Sequence, residues 1–315
     1  MAGNTDNTYI NPIVFHGADP WVVFWNEAYY YCYSKGGMIL VNKASRLQNI
    51  GKGKRAFVWR PPSGEAYSKE LWAPELHYLD GKWYIYVAAD DGDNHNHRMY
   101  VLEGQSQDPQ GKYTLKGKIS DPSDKWAIDG TVLRLDSGDM YFIWSGWEGD
   151  VNVQQNLYIA PMSNPWTISG ERVLISQPEY AWEKIGNPLI NEGPQVLQHA
   201  GRIFIIYSAS GSWTDSYCLG QLALVGDNPL DPAAWVKKET AVFSPTDTVF
   251  GPGHAGFTTS PDGQEHWIVY HAAKKQGSGW DRNVRMQRFG WTPSGEPDFG
   301  TPVDKGVELP GPSGQ

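Results

Sequence analysis

Cysteine is almost missing from this chain: two residues, Cys32 and Cys218, in 315. Both lie in apolar, strand-like stretches, which reads as buried free thiols rather than a disulfide framework. No stretch reaches the roughly 18 apolar residues of a membrane-spanning helix, which argues against a helical membrane protein. The segment from Met1 to Asn11 is polar and has no apolar signal region. The expectation is therefore a cytoplasmic chain or a secreted one whose leader has been removed, with secretion favoured. Basic clusters are also lacking: 26 Lys and Arg stand against 35 Asp and Glu, for a net charge of −9. That balance argues against nucleic acid and anionic membrane as partners. Gly51-Lys52-Gly53-Lys54 is not completed to a phosphate-binding loop, and no Gly-x-Ser-x-Gly elbow of a serine hydrolase occurs. The run Asp90 to His97 resembles a metal loop, but the twelfth position from Asp91 is Leu102 rather than Glu. It reads as a polar loop rimming a pocket.

What the chain has in quantity is aromatic: 15 Trp and 17 Tyr, with 35 Gly and 22 Pro. Aromatics suit strands, while Gly and Pro suit tight turns. The same rings can stack on the apolar faces of sugars. One pattern then recurs five times, at intervals of roughly sixty residues. A polar entry is followed by two strand-like runs around a turn, the second run being aromatic. The entries are Gly17-Ala18-Asp19-Pro20-Trp21, Trp72-Ala73-Pro74-Glu75, Ile128-Asp129-Gly130, Asn191-Glu192-Gly193-Pro194 and Gly253-His254-Ala255-Gly256. Sheets this small cannot bury both faces alone, and packing five around an axis solves the problem. The prediction is an all-β, five-bladed β-propeller forming a single domain over residues 1–315, with short tails at about 1–9 and 306–315. A β-sandwich would not explain why a polar residue returns at the same point of each unit.

In such a propeller the first strand of each blade borders the central channel. The entry residues Asp19, Glu75, Asp129, Glu192 and His254 should then ring one mouth. Two carboxyl groups flanking a sugar, one protonated and one ionised, are the minimum for glycoside hydrolysis. A third can raise the acid's pKa by repulsion.

The five entries, in order across nearly the whole chain, resemble the block motifs of glycoside hydrolase family 43. The resemblance implies an inverting hydrolase with Asp19 as general base, Glu192 as general acid and Asp129 tuning that acid. It implies that Arg285, in Asp281-Arg282-Asn283-Val284-Arg285, contacts the sugar or Glu192. It also implies a calcium or sodium ion near His254, usually held through waters, with no cofactor required for the chemistry. Trp72 is expected as a sugar-stacking wall, Trp147 and Trp213 as weaker candidates, and Glu75 as structural. The block wording is most similar to single-domain arabinofuranosidases. The expected activity is release of terminal L-arabinofuranose from plant cell-wall arabinan or arabinoxylan. β-D-Xylosidase and endo-α-1,5-L-arabinanase are the alternatives, the chain ending too early for the second domain many xylosidases carry. A non-catalytic carbohydrate-binding propeller is the rival of another class, and it would be expected to lack at least one of the three acids.

Overall fold

The computed structural model describes residues 7–315, so the polar residues 1–6 lie outside it. Four-stranded antiparallel blades recur in chain order. The first runs Trp21–Trp25, Ala28–Lys35, Met38–Ala44, Lys54–Trp59. The second runs Lys69–Leu79, Lys82–Asp90, Arg98–Gly104, Tyr113–Ile119. The third has Ala127–Arg134, Met140–Gly146 and Gln154–Asn164, with an outer edge broken into Thr167–Ile168 and Val173–Ser176. The fourth has Leu189–His199, Arg202–Ala209, Cys218–Leu224 and Trp235–Lys237. The fifth has Phe250–Thr259, His266–Ala273, Arg282–Trp291 and Pro297–Asp298. Blades three and four also touch through the parallel pairs Gln154–Leu189 and Gln155–Ile190, which join the third strand of one to the first strand of the next.

The aromatic second strands hold the ring together. Successive side chains of a strand point to opposite faces, so each strand serves two interfaces. Tyr30 and Cys32 pack with Trp83 and Ile85 between blades one and two. Tyr84 and Tyr86 turn the other way, onto Phe142 and Trp144 of blade three. Ile143 meets Ile205 and Tyr207, and Phe204 and Ile206 meet Ile268 and Tyr270. Trp267 and Val269 return to Tyr29 and Tyr31, closing the circle. Both faces are buried, which is why these strands read as continuous apolar runs instead of alternating ones. Cys32 and Cys218 are buried free thiols in two of these layers.

Two-residue hairpin turns fit their sequences. Asn26-Glu27, Asp80-Gly81 and Ala200-Gly201 all have positive φ at both positions, the backbone that matches strand twist. The segments expected as tails are not loose within the described residues. Thr8–Ile10 pairs with Glu308–Pro310, and Asn11 both donates to Met286 O and accepts its N–H. This strap fastens the first blade to the fifth.

Candidate active site

The polar entries are shaped by a repeated backbone device. In four blades the register between the first two strands slips at a matching place: between Trp72 and Glu75, Ile128 and Thr131, Glu192 and Gln195, and Gly253 and Gly256. Each slip is a bulge whose first residue is left-handed: Ala73 (φ 43°), Asp129 (56°), Gly193 (54°) and His254 (46°). Asp19 (48°), followed by Pro20, is the matching residue of blade one. Non-glycine residues rarely adopt this conformation, and bulges of this kind re-aim side chains. The expected anchors therefore do not occupy equivalent places. Asp129 and His254 sit in the bulge and Asp19 at the matching left-handed position; Glu192 precedes that position by one residue and matches Trp72 and Ile128. All six of these side chains line one cavity of about 890 Å³.

Glu75 comes two residues after the left-handed Ala73 and points elsewhere. It is buried, accepts from Gln195 Nε2 of blade four, and meets His77 Nε2 at 2.8 Å. It bonds across the interior, as a structural residue would, and does not line the pocket.

The three acids are held in different electrical environments. Asp19 Oδ1 lies 3.4 Å from Arg282 Nη1, 3.3 Å from His254 Nδ1 and 3.2 Å from His271 Nδ1. Burial alone would raise its pKa, but the Arg282 guanidinium, followed by the two rings, outweighs that and holds it well below the usual carboxylate range. Burial, then Arg282, pushes His271 down to about 3, so that ring is neutral. Glu192 is the opposite case: burial, with the Asp19 charge adding, pushes it up to about 7, against the lowering effects of the Tyr217 hydroxyl and Arg282. Burial and then the Glu192 charge also push Asp129 well above the usual range. Asp129 Oδ2 accepts the Gly193 N–H at 3.0 Å, gripping the backbone next to Glu192. Asp129 and Glu192 thus form a buried pair that retains a proton near neutrality, facing an ionised Asp19.

This pocket sits on the region that matches a known family. The sequence profile of Glycosyl hydrolases family 43 covers residues 9–297. The chain belongs to that family. Alpha-L-arabinofuranosidase 43 of Humicola insolens is 37% identical over 312 residues, 95% of this chain and 64% of that protein. An extracellular exo-alpha-(1->5)-L-arabinofuranosidase of Streptomyces avermitilis is 36% identical, over 95% of this chain and 65% of its own length. The chain spans less than two thirds of either relative. The crystal structure of an alpha-L-arabinofuranosidase from Lactobacillus brevis superposes with a TM-score of 0.86 at 35% identity, covering 95% of this chain and 98% of that one.

Within this family-43 fold, some expected residues are displaced. Arg285 is fully buried and does not line the pocket; it donates to Asn283 Oδ1 at 3.0 Å and to Val303 O at 3.4 Å. The arginine at the pocket is Arg282. The reason is depth: Arg282 pairs with Ala273 at the end of the neighbouring strand, whereas Arg285 pairs with Tyr270, three residues further down. Trp147 is likewise buried, lying behind Trp126 with rings stacked at 4.7 Å. Trp126 takes the lining position, its Nε1 tied to Asn94 O at 2.7 Å. Trp72 does line the cavity, one face stacked 3.9 Å from the buried His97 ring. Trp213 lines it too, beside the exposed Trp280. Asn94, from the polar loop 90–97, is part of the rim as expected.

For the ion expected near His254, direct side-chain ligands are few. Among the described residues no group of three or more His, Cys, Asp or Glu side chains could hold a metal. His254 Nδ1 is directed at Asp19. The residues present do not fit a cation ligated directly by side chains.

Tyr217, His271, Arg282 and Trp126 were not singled out from the sequence. Arg282 was within reach: it opens a strand facing His271-Ala272-Ala273, the end nearest the pocket. Tyr217 carried no such signal, because it follows an irregular loop.

Proposed function

We propose that the chain is an inverting exo-acting α-L-arabinofuranosidase that releases terminal L-arabinofuranose from arabinan or arabinoxylan side chains. The observation that carries this is the pairing, in one cavity, of a carboxylate held ionised (Asp19) with a carboxyl held protonated near neutrality (Glu192). Asp19 takes a proton from a water whose oxygen attacks the anomeric carbon. The bond to the leaving oxygen breaks, and that oxygen receives the Glu192 proton. Asp129 steadies the acid through Gly193, whose N–H it accepts next to Glu192. No covalent glycosyl intermediate forms, so the configuration inverts.

The choice of arabinofuranose rests on the names of the relatives at 35–37% identity. Two Streptomyces relatives are named extracellular, which supports action outside the cell on a wall polysaccharide. Among the described residues no helix is long and apolar enough to cross a membrane. The leaving group must lie toward Glu192. That side of the pocket carries Ser212 and Trp213 from the same blade, with Trp280 Nε1 bonded to Ser212 Oγ at 3.0 Å.

The test is product identity. Wild-type protein is incubated with linear 1,5-arabinan, arabinotriose, xylotriose and the 4-nitrophenyl pentosides, and the first-formed sugar is observed by proton NMR. Arabinose appearing first as the β-anomer is the expected result. Xylose alone, α-arabinose first, or binding without release would each refute the proposal.

Trp72→Ala is expected to raise KM by about tenfold or more while lowering kcat less, from the loss of one apolar sugar-ring contact worth about 1.5–3 kcal/mol. Steady-state kinetics on arabinotriose checks this. A change confined to kcat would remove Trp72 from the binding wall.

A further inference from the structure

We propose that Trp213 and Trp280 form a platform for the leaving chain, which takes the second and third sugars of a linear pentose oligosaccharide. It deepens the proposed hydrolysis, naming a chain of at least three units as the substrate, and rests on Glu192 being the acid of that reaction.

The place of Glu192 sets the direction of the chain. Its proton goes to the leaving oxygen, so the sugars beyond the cleaved bond lie over the acid. The Tyr217 hydroxyl donates to Glu192 Oε1 at 2.9 Å. Tyr217 ends the irregular segment 210–217, which also carries Ser212 and Trp213. Trp213 is thereby on the acid's side of the cavity, while Trp72 and Trp126 line it from the entries of blades two and three. The cavity of about 890 Å³ has far more space than one five-carbon ring fills, since sites of about 300–1,000 Å³ enclose whole drug-sized ligands.

Trp213 is laid flat on glycine. A Cβ placed on Gly211 would stand 2.6 Å from Cε2, 2.7 Å from Cζ2 and 3.0 Å from Cδ2 of its ring. Cε2 and Cδ2 are the fusion carbons in the middle of the indole, so Gly211 meets the ring through its face. A Cβ on Gly186, whose φ is 109°, would stand 3.1 Å from Cζ2. Only glycine at both places lets the indole rest on the backbone.

Trp280 is held differently. It is 64% exposed, yet lines the same cavity, two residues before Arg282. Its one polar atom, Nε1, donates to Ser212 Oγ at 3.0 Å, and its ring meets that of Trp213 at 6.1 Å and 76°. The loop that carries it, 274–281, is fastened at both ends. Lys274 N donates to Asp281 O at 2.9 Å at its base. At its tip the Gly277 N–H reaches both carboxylate oxygens of Asp215, at 2.9 and 3.1 Å. Asp215 itself accepts the Gly251 N–H on its backbone oxygen at 2.8 Å. An indole left mostly in water adds little to the core, but one fixed in place beside a site binds a ligand with less ordering cost. Trp213, deeper and next to the acid, receives the sugar that leaves first; Trp280, further out, receives the one after it. Asp215 does not line the cavity and is a positioning residue, acting through the loop of Trp280.

The experiment compares chain lengths. In wild type, kcat/KM is expected to be about tenfold higher on arabinotriose than on arabinobiose, through KM. Trp280→Ala is expected to lose about tenfold on arabinotriose and much less on arabinobiose, as for one lost apolar contact to the third sugar. Trp213→Ala loses about tenfold on both. Asp215→Ala raises KM for arabinotriose several fold with kcat kept, and adds little when combined with Trp280→Ala. Asp215→Asn, which keeps an acceptor for Gly277, recovers part of that loss. Equal losses of Trp280→Ala on the two substrates, or a wild type without the length preference, overturn the platform. Binding separates this from the proposed function. Asp19→Asn protein is titrated calorimetrically with arabinotriose and with xylotriose, with and without Trp280→Ala. Arabinotriose binding weakened about tenfold by Trp280→Ala is expected. Xylotriose bound in its place, with the same dependence on Trp280, refutes the arabinose reading and upholds the platform. Binding of both sugars that Trp280→Ala leaves unchanged overturns the platform, whatever the activity.

Discussion

Asp19→Ala is expected to lower kcat/KM by about 1,000- to 10,000-fold on both arabinotriose and 4-nitrophenyl arabinofuranoside. The two substrates suffer alike because each needs an activated water, whatever its leaving group. Asp19→Asn keeps the shape but not the basicity, and is expected to lose as much. The residual activity of Asp19→Asn should also show its alkaline limb at lower pH, since the Asp19 charge is one of the groups that raises Glu192. Stability adds a second signature. Asp19 titrates below its unfolded value because of Arg282 and the two histidines. A depressed carboxyl stabilises the fold above the unfolded pKa, and that contribution fades as pH falls through the folded value. Asp19→Asn should therefore melt below wild type at pH 7, and the gap should narrow on acidification below the ordinary carboxylate range. Equal melting at pH 7 together with a leaving-group-dependent rate loss would remove Asp19 from the role of base.

The propeller was legible because its cause is periodic. The aromatic second strands repeat, and each places alternate residues in two neighbouring layers, so Tyr30 and Tyr31 serve different interfaces. The convergence of Asp19, Asp129 and Glu192 followed from the same periodicity. What the sequence hid was the register within each entry. A left-handed entry position is taken by Asp, Ala, Asp, Gly and His in the five blades, and no common residue type marks it. Lining up carboxylates by type therefore set Glu75 beside Glu192, although the two stand three places apart relative to the bulge and point to different destinations. Arg285 and Trp147 were displaced for a related reason. Each has a neighbour of the same type, Arg282 and Trp126, and only pairing depth and stacking order show which one reaches the cavity. The strap from Tyr9 and Asn11 onto Met286 was hidden as well, because its bonds go to backbone atoms nearly the whole chain away.

Glu192→Gln carries the other large effect, and its signature is the reverse of that of Asp19. On arabinotriose kcat/KM is expected to fall about 1,000-fold or more, because an alkoxide leaving group needs the proton. On 4-nitrophenyl arabinofuranoside the loss should be far smaller, since nitrophenolate departs with little protonation. The wild-type alkaline limb, expected near pH 7 where Glu192 ionises, should disappear from what activity remains. The stability sign follows from the raised pKa. A carboxyl whose folded value lies above its unfolded one contributes fully below the unfolded pKa, and the contribution is lost as pH rises through the folded value. Wild type should therefore lose stability between the ordinary glutamate range and about pH 7, as a buried charge forms beside Asp129 and Asp19. Glu192→Gln has no charge to form and keeps an oxygen to accept from Tyr217. It should melt above wild type at pH 8 and close to it at pH 4, as expected where a catalytic group is held at a cost to the fold. Thermal melts at the two pH values read this directly, and a variant less stable than wild type at pH 8 would show that Glu192 is a structural carboxylate already ionised in the resting pocket.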